Sequence, residues 1–352
     1  MAYTLIDDPS AYFQTLLWTG NSTDSRALTN DGNSDLLPDW VWLKNRDLGY
    51  NHFLQDSSRG NTKVLSSDTT AAESTFTNMV ESFDTNGFTV GFDGSQVPNF
   101  NGNTFVGWQW KANGGTTTSF SEIGNNPGGT RQTSSESGFS IISYTGTGSA
   151  GTIAHGLPST PELIIFKRRN AVSDWDVYHK SIGNGKRMEL HNEAQASADT
   201  TFMNNTLPTS TNITVGTSAN TNADGATYIC YAFSPVQGYS KMGTYVGNTS
   251  TDGVFNWCGF RPAWVLIKCY TGANDSWIII DTKRNVANSM NARLFPDLAN
   301  AESTSQDIID CLSNGFKLRT ADTAYNGGRD YLYVAFAENP FTTSTGVPCT
   351  AR

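Results

Sequence analysis

The sequence predicts an all-β protein made of three tandem antiparallel β-sandwich repeats. Two observations carry this. A string of five strand signals occurs three times in the same order. The gaps between the strands are filled with Gly, Asn, Ser, Thr and Asp, as in Asn30-Asp-Gly-Asn-Ser-Asp35 and Asn326-Gly-Gly328. Internal repetition fixes an architecture before any local pattern does. Many short strands separated by polar turns point to a sandwich or barrel.

Each repeat opens on an aromatic turn segment: Trp18-Thr-Gly20, Tyr144-Thr-Gly146 and Tyr245-Val-Gly247. A proline-led strand ending in lysine follows: Pro38-Asp-Trp-Val-Trp-Leu-Lys44, Pro161-Glu-Leu-Ile-Ile-Phe-Lys167 and Pro262-Ala-Trp-Val-Leu-Ile-Lys268. Its four consecutive apolar residues predict burial on both faces, hence a central position. Its proline stands at the strand start, where a missing donor is tolerated. The third element is His52-Phe-Leu-Gln-Asp56, Trp175-Asp-Val-Tyr-His179 or Trp277-Ile-Ile-Ile-Asp281. It forms a hairpin with the second, with tips at 45–51, 168–174 and 269–276. Antiparallel pairing sets Lys44 at one end and Asp56 at the other, so the two do not pair. The fourth element is Asn86-Gly-Phe-Thr-Val90, Asn212-Ile-Thr-Val215 or Asn314-Gly-Phe-Lys-Leu318. A closing aromatic strand ends each repeat: Phe105–Trp110, Tyr228–Phe233 and Tyr331–Phe336. It alternates heavy and small residues, which predicts a half-buried strand.

Helix is scarce. Phe76, Met79, Val80 and Phe83 have helical spacing within 71–83, with Gly87 as a stop, and Ile308, Ile309 and Leu312 before Gly315 make a second case. The second repeat has no counterpart. The stretch 113–137 is rich in Gly, Ser, Thr and Asn and predicts a linker, or an edge segment packed through Phe120 and Ile123. The organisation expected is therefore repeat 1 over 1–112, the linker over 113–137, repeat 2 over 138–236, repeat 3 over 237–341, and a tail over 342–352.

Composition narrows the function. A net charge of −9 and no basic stripe disfavour nucleic-acid binding. No apolar run approaches membrane-spanning length, and the first residues lack the regions of a signal peptide, so a soluble chain made in the cytoplasm is expected. The five cysteines are odd in number, lack zinc-type spacing and avoid the first repeat, so they read as reduced thiols, with Cys230 packed as a small apolar residue.

No catalytic, cofactor or metal residue is assigned. The four histidines are scattered, and no phosphate loop or nucleophile elbow is present. Asp31, Asn33 and Asp35 alternate like the start of a calcium loop but lack the closing glutamate, so they read as a polar turn. Asp56, His179 and Asp281 occupy equivalent places and read as strand-end caps. Trp40, Trp175, Trp264 and Trp277 read as core. Lys167-Arg168-Arg169 reads as a solvated tip, with phosphate or glycan contact as the alternative. Possible surface contacts fall in the predicted loops: Tyr50, Arg168, Arg169, Tyr270 and Tyr325. The hairpin tips differ between repeats, as recognition loops would and as drifting loops would.

Several of these segments also resemble a known family. They are Ala2–Thr15, Gly32–Asp47, Gly138–Gly146, Gly259–Lys268 and Tyr331–Phe341. The chain resembles, along nearly its whole length, virion structural proteins of tailed bacteriophages of the marine-phage type, a family of unassigned biochemical function. The resemblance implies a jelly-roll or concanavalin-like sandwich and a place on the phage particle, and it supplies no catalytic residues. The leading expectation is a tail fibre or tail appendage contacting the host surface. The alternatives are a capsid-decorating or head-fibre protein and, last, a surface-polysaccharide depolymerase. Partners would be other virion proteins and a host-surface glycan or protein, with neither nucleic acid nor membrane insertion. A homotrimer is one arrangement, and a pseudo-threefold made by one chain's three repeats is another.

Overall fold

Short strands and polar turns fold as the alternation requires. The computed structural model describes residues 2–92, 94 and 98–350. The first unit contains β1 (Phe13–Thr19), β2 (Arg26–Thr29), β3 (Trp40–Asn45), β4 (Phe53–Asp56), β5 (Lys63–Val64), β6 (Ser74–Thr75), β7 (Val80–Asp84), β8 (Gly87–Val90) and β9 (Thr104–Trp110). The second contains β10 (Thr118–Phe120), β11 (Gly129–Ser134), β12 (Phe139–Thr145), β13 (Gly151–Ala154), β14 (Leu163–Arg168), β15 (Trp175–His179), β16 (Lys186–Glu189), β17 (Ser197–Ala198), β18 (Asn212–Val215) and β19 (Thr227–Phe233), with α1 (Ala219–Asn222) before β19. The third contains β20 (Ser240–Val246), β21 (Phe255–Trp257), β22 (Phe260–Cys269), β23 (Ile278–Asp281), β24 (Ile309–Leu312), β25 (Gly315–Leu318) and β26 (Asp330–Pro340), with α2 (Thr323–Asn326) before β26.

The same antiparallel order appears in each unit: β1-β9-β3-β4, β12-β19-β14-β15 and β20-β26-β22-β23. A smaller sheet accompanies each: β2-β8-β7, β13-β18 and β21-β25-β24. In the first unit Leu16, Trp18, Val41 and Leu43 of the large sheet meet Leu28, Phe88 and Val90 of the small one. In the second, Ile142, Ile164 and Tyr228 meet Ile153, Ile213 and Val215. These are the sandwich cores.

The opposite faces of the large sheets meet one another. Trp40, Trp110, Phe139, Tyr231, Phe233, Trp264 and Phe336 share one aromatic core drawn from all three units. Trp40 stacks on Tyr231 at 4.3 Å, Trp110 meets Trp264 at 5.7 Å, and Phe233 meets Phe336 at 5.5 Å. Each pair joins a different two of the three units. This explains the unbroken apolar runs of β3, β14 and β22: one face fills the unit's own sandwich, the other the shared core.

The closing strands are corrected by the same packing. They are buried on both faces, not half-buried. Gln109 is fully buried, and its amide pairs with that of Asn30 in both directions, at 2.6 and 3.1 Å.

Three further expectations are corrected. The segment 71–83 is not helical but contains β6 and part of β7, and Ile308 to Leu312 runs into β24. Gly87 and Gly315 each close a hairpin whose turn residues are Thr85-Asn86 and Ser313-Asn314. Asp84 pairs with Gly87 and Leu312 with Gly315, across two-residue turns. The short helices that do form, α1 and α2, are capped by Ser218 and Asp322. Finally, of the two readings of 113–137 the structure has the edge segment and not the linker: β10 and β11 extend the second unit's sheet, which reaches eight strands with β16 and β17. Phe120 packs against the second sandwich core, while Ile123 is exposed.

Candidate functional site

The chemistry-bearing residues concentrate where the units meet, and the three junctions follow one plan. Asp56 ends β4 and accepts a 2.7 Å hydrogen bond from the Tyr231 hydroxyl of the second unit. Asp281 ends β23 and accepts a 3.0 Å bond from the Trp108 indole of the first unit. His179 ends β15 and lies against the Tyr333 backbone of the third unit. The first unit thus contacts the second, the second the third, and the third the first.

The buried lysines repeat the cycle. Lys167 Nζ donates to the Thr70 carbonyl of the first unit at 3.0 Å. Lys268 Nζ donates to the Glu193 carbonyl of the second at 2.7 Å. Lys44 Nζ donates to the Ala299 carbonyl of the third at 2.9 Å. Each also binds a carbonyl of its own hairpin tip: Ser173, Asp275 and Tyr50. The Trp175 indole reaches the Ser66 carbonyl at 2.8 Å, and that of Trp277 the Glu189 carbonyl at 2.9 Å.

Two junctions are ionic. Arg59, fully buried, binds Asp56 at 2.5 Å and Glu73 at 3.0 Å, and Glu73 also binds Arg169 at 2.9 Å. Arg284 binds Asp281 at 2.5 Å and Glu302 at 2.8 Å, and Glu302 also binds Arg46 at 2.7 Å. The third junction is apolar. The backbone N–H groups of Glu73, Ala196 and Glu302 donate to the carbonyls of Arg169, Tyr270 and Arg46, which fixes the equivalence. Where the others carry Asp, Arg, Glu and Arg, it therefore carries His179, Ile182, Ala196 and Tyr270. A buried ionic network is tolerable only when every member is paired. The set is present as a whole or replaced as a whole.

The electrostatics follow from burial and pairing. Burial opposes the Arg59 and Arg284 charges, but Asp56 and Asp281 beside them hold both guanidinium pKa values above the ordinary range. Burial likewise works against Glu73 and Glu302, yet the arginines on either side hold their carboxyls below the ordinary value. Burial lowers Lys44, Lys167 and Lys268 to about 8. Burial, with Lys180 adding to it, pulls His179 down to about 3, so the imidazole is neutral.

These contacts relocate most of the residues expected at the surface. Tyr50 is half-buried against the first sandwich core. Arg169 is held by Glu73 across a junction, so the basic triplet is not a solvated tip, and Lys167 is fully buried. Arg168 is half-buried and donates to Asn170 at 3.0 Å. Tyr270 packs against the shared core. Tyr325 is 6 % exposed, lies in α2 and carries the Arg293 guanidinium over its ring. The rings expected in surface loops pack inward instead: Tyr50 on its own sandwich, Tyr325 within the third unit and Tyr270 at a junction. Asp56, Asp281 and His179 do cap their strand ends, accepting the backbone N–H of Arg59, Arg284 and Ser181. Their cross-unit contacts were not anticipated, although the repeated spacing Asp56-x-x-Arg59 and Asp281-x-x-Arg284 is a readable signal. Trp40, Trp175, Trp264 and Trp277 are core. Asp31 of the predicted turn pairs with Lys283 at 2.7 Å. All five thiols are free.

Among the described residues, one group has metal-type donors: Asp174, Glu189 and His191 offer atoms within 4.8 Å of one another. Arg187 already supplies a cation there, reaching Asp176, Glu189, Asp199 and Asp174 at 2.5 to 3.4 Å. Two pockets lie at junctions. One of about 370 Å³ joins Phe13, Gln14 and Thr15 to Thr282, Lys283 and Glu338. The other, of about 440 Å³, joins Glu162, Lys180 and Gln237 to Tyr3, Lys241 and Trp257.

A comparison with curated proteins and one with solved structures each gave no match. A family profile does match, over residues 8–340, which takes in all three large sheets. The chain belongs to the family described as Domain of unknown function (DUF7483).

Proposed function

We propose that this chain is a structural protein on the surface of a tailed-phage particle, assembled in the host cytoplasm and serving as a tail fibre or tail appendage that contacts the host. The observation that carries the reading is the closed cycle of contacts among the three units. A body whose sheets share one core and whose seams are buried and hydrogen-bonded resists local opening. Such a scaffold presents loops rigidly outside the cell. The resemblance of its sequence segments to phage virion proteins supports the same placement, and we assign it no catalysis. Its partners are then other virion proteins on one side and a host glycan or protein on the other.

The cycle also favours a second reading. A single chain that already has three equivalent sides fits a threefold position of a shell, so a capsid-decorating role stands next. It also makes a homotrimer unnecessary for building a threefold body. Particles made without this chain separate the two. Intact heads that no longer adsorb, with gold-labelled antibody marking the tail of complete particles, support the appendage. Label on the shell and normal adsorption transfer the case to decoration. Absence of the chain from purified particles by mass spectrometry refutes both.

A further inference from the structure

Eight of the nine tryptophans are at most 7 % exposed, whereas Trp257 is 45 % exposed. It stands on β21, the edge of the third unit's small sheet, opposite Gly315. The matching positions, opposite Gly87 and Asn212, are Thr29 and Ala154. Phe255, 42 % exposed, likewise matches Ala27 and Thr152. Between them, where the other units bury Leu28 and Ile153, this strand buries Asn256. Its polarity is inverted, with aromatic rings in water and an amide inside. Each choice costs stability. The packing problem common to the three units does not require it, since the other two solve it with small outward residues.

Trp257 lines the pocket of about 440 Å³ between the second and third units. Glu162 and Lys180 pair at 2.6 Å, and Lys241, whose Nζ is held by the Trp257 carbonyl at 2.6 Å, leaves the pocket one net positive charge. The Gln237 amide is exposed, and among the described residues it makes no side-chain hydrogen bond. We infer that this pocket is a carbohydrate-binding site, with a pyranose ring stacked on the Trp257 indole. A sugar ring has an apolar C–H face suited to a flat aromatic surface and a rim of hydroxyls that both donate and accept. An amide beside a carboxylate–ammonium pair answers that rim. The net positive charge opposes a bare cation, and the flat apolar indole suits a sugar ring better than a phosphate. The inference deepens the host-contact reading and rests on it for its biological meaning, but it is tested on the isolated chain.

Because Trp257 is the one half-exposed indole, acrylamide quenching of fluorescence reports on it selectively. The probes are oligosaccharides of glucose, galactose, mannose, rhamnose and N-acetylglucosamine at millimolar concentration. At least one shields Trp257 and shifts its emission. Trp257→Thr, which installs the first unit's residue, abolishes the response while the melting temperature holds or rises. Shielding by none of the probes overturns the inference. So does shielding that survives Trp257→Thr, or a self-association that Trp257→Thr dissolves. A chain located on the tail that binds no sugar refutes this site and leaves the appendage reading intact.

Discussion

Replacing Arg59 by isoleucine tests whether the junctions hold this molecule together. The guanidinium is fully buried and donates to Asp56, to Glu73, to the Leu54 carbonyl at 3.0 Å and to the Tyr231 hydroxyl at 3.3 Å. Isoleucine is what the second unit carries at this place, as Ile182, so the fold accepts its shape. In Arg59→Ile, however, Asp56 stays buried with its charge uncompensated. Removing one partner of a buried pair costs about 3–5 kcal/mol. If the whole chain melts as one unit, the melting temperature falls by about 4–7 °C; if the first sandwich melts alone, the fall is roughly three times larger. Calorimetry reads both the shift and the cooperativity. The decisive comparison adds Asp56→His, Glu73→Ala and Arg169→Tyr, which transplants the apolar junction. The neutral imidazole, with Nδ1 capping the strand end as in His179, can then donate its Nε2–H to the Tyr231 hydroxyl, no charge is left unpaired, and stability returns to within about 2 kcal/mol of the parent. An Arg59→Ile protein that melts like the parent, or a transplant less stable than Arg59→Ile alone, would show that the networks are ornaments of a core that needs no seam.

Much of the fold was legible because packing demands that repeat leave repeating residues. The doubly buried β3, β14 and β22 are visible as four apolar residues in a row. The hairpins are visible in their polar tips, and the separation of Lys44 from Asp56 follows from antiparallel register. What was not legible has definite physical causes. Met79, Val80 and Phe83 have helical spacing by coincidence, because β7 bends at a register shift between Val80 and Ser82 and then turns at Thr85-Asn86. Gly87 has φ +116°, a region open to glycine, so it closes a hairpin rather than a helix. The edge strand β10 and its neighbour β11 resemble a linker because strands at a sheet margin, facing water on one side, can be as polar as a loop in composition. The candidate site was least legible. Arg169 reads as a solvated tip because its partner Glu73 lies 96 residues earlier, in another unit. Trp257 lies outside the five repeated segments, so nothing in the sequence sets it apart until its register shows Thr29 and Ala154 in its place.

Three further perturbations probe the core and the charges, and a fourth probes the whole. Trp264→Ala removes a ring packed between Trp110 and Phe336 and costs about 3–5 kcal/mol; an unchanged thermal midpoint would place the ring outside the core. Glu73 and Glu302 have folded pKa values below 4.5, so their contribution is present above that pH and is lost as pH falls through the folded values. Urea midpoints therefore drop between about pH 6 and about pH 3, and less in Glu73→Gln; parallel curves contradict this. Lys167 has a folded pKa of about 8 against 10.5 unfolded, so the unfolded chain binds more protons between these values, and stability rises with pH across them. The parent therefore gains on Lys167→Met between about pH 7 and about pH 10, and a constant gap refutes the assignment. The last perturbation excises residues 138–236. These carry a complete sandwich core, but also Phe139, Leu163, Ile165, Tyr231 and Phe233, which belong to the shared core. Cut free, the large sheet exposes that aromatic face to water, a patch far beyond what monomers leave open. The fragment should bind hydrophobic dyes, lose near-ultraviolet dichroism and aggregate. Co-expression of 1–137 with 138–352 should recover a single cooperative melt, because every strand of the shared core is again present and only one covalent link, between β11 and β12, is missing. A 138–236 fragment that melts cooperatively, stays monomeric and binds no dye would mean that each sandwich is an independent domain and that the shared core is only a contact between finished parts.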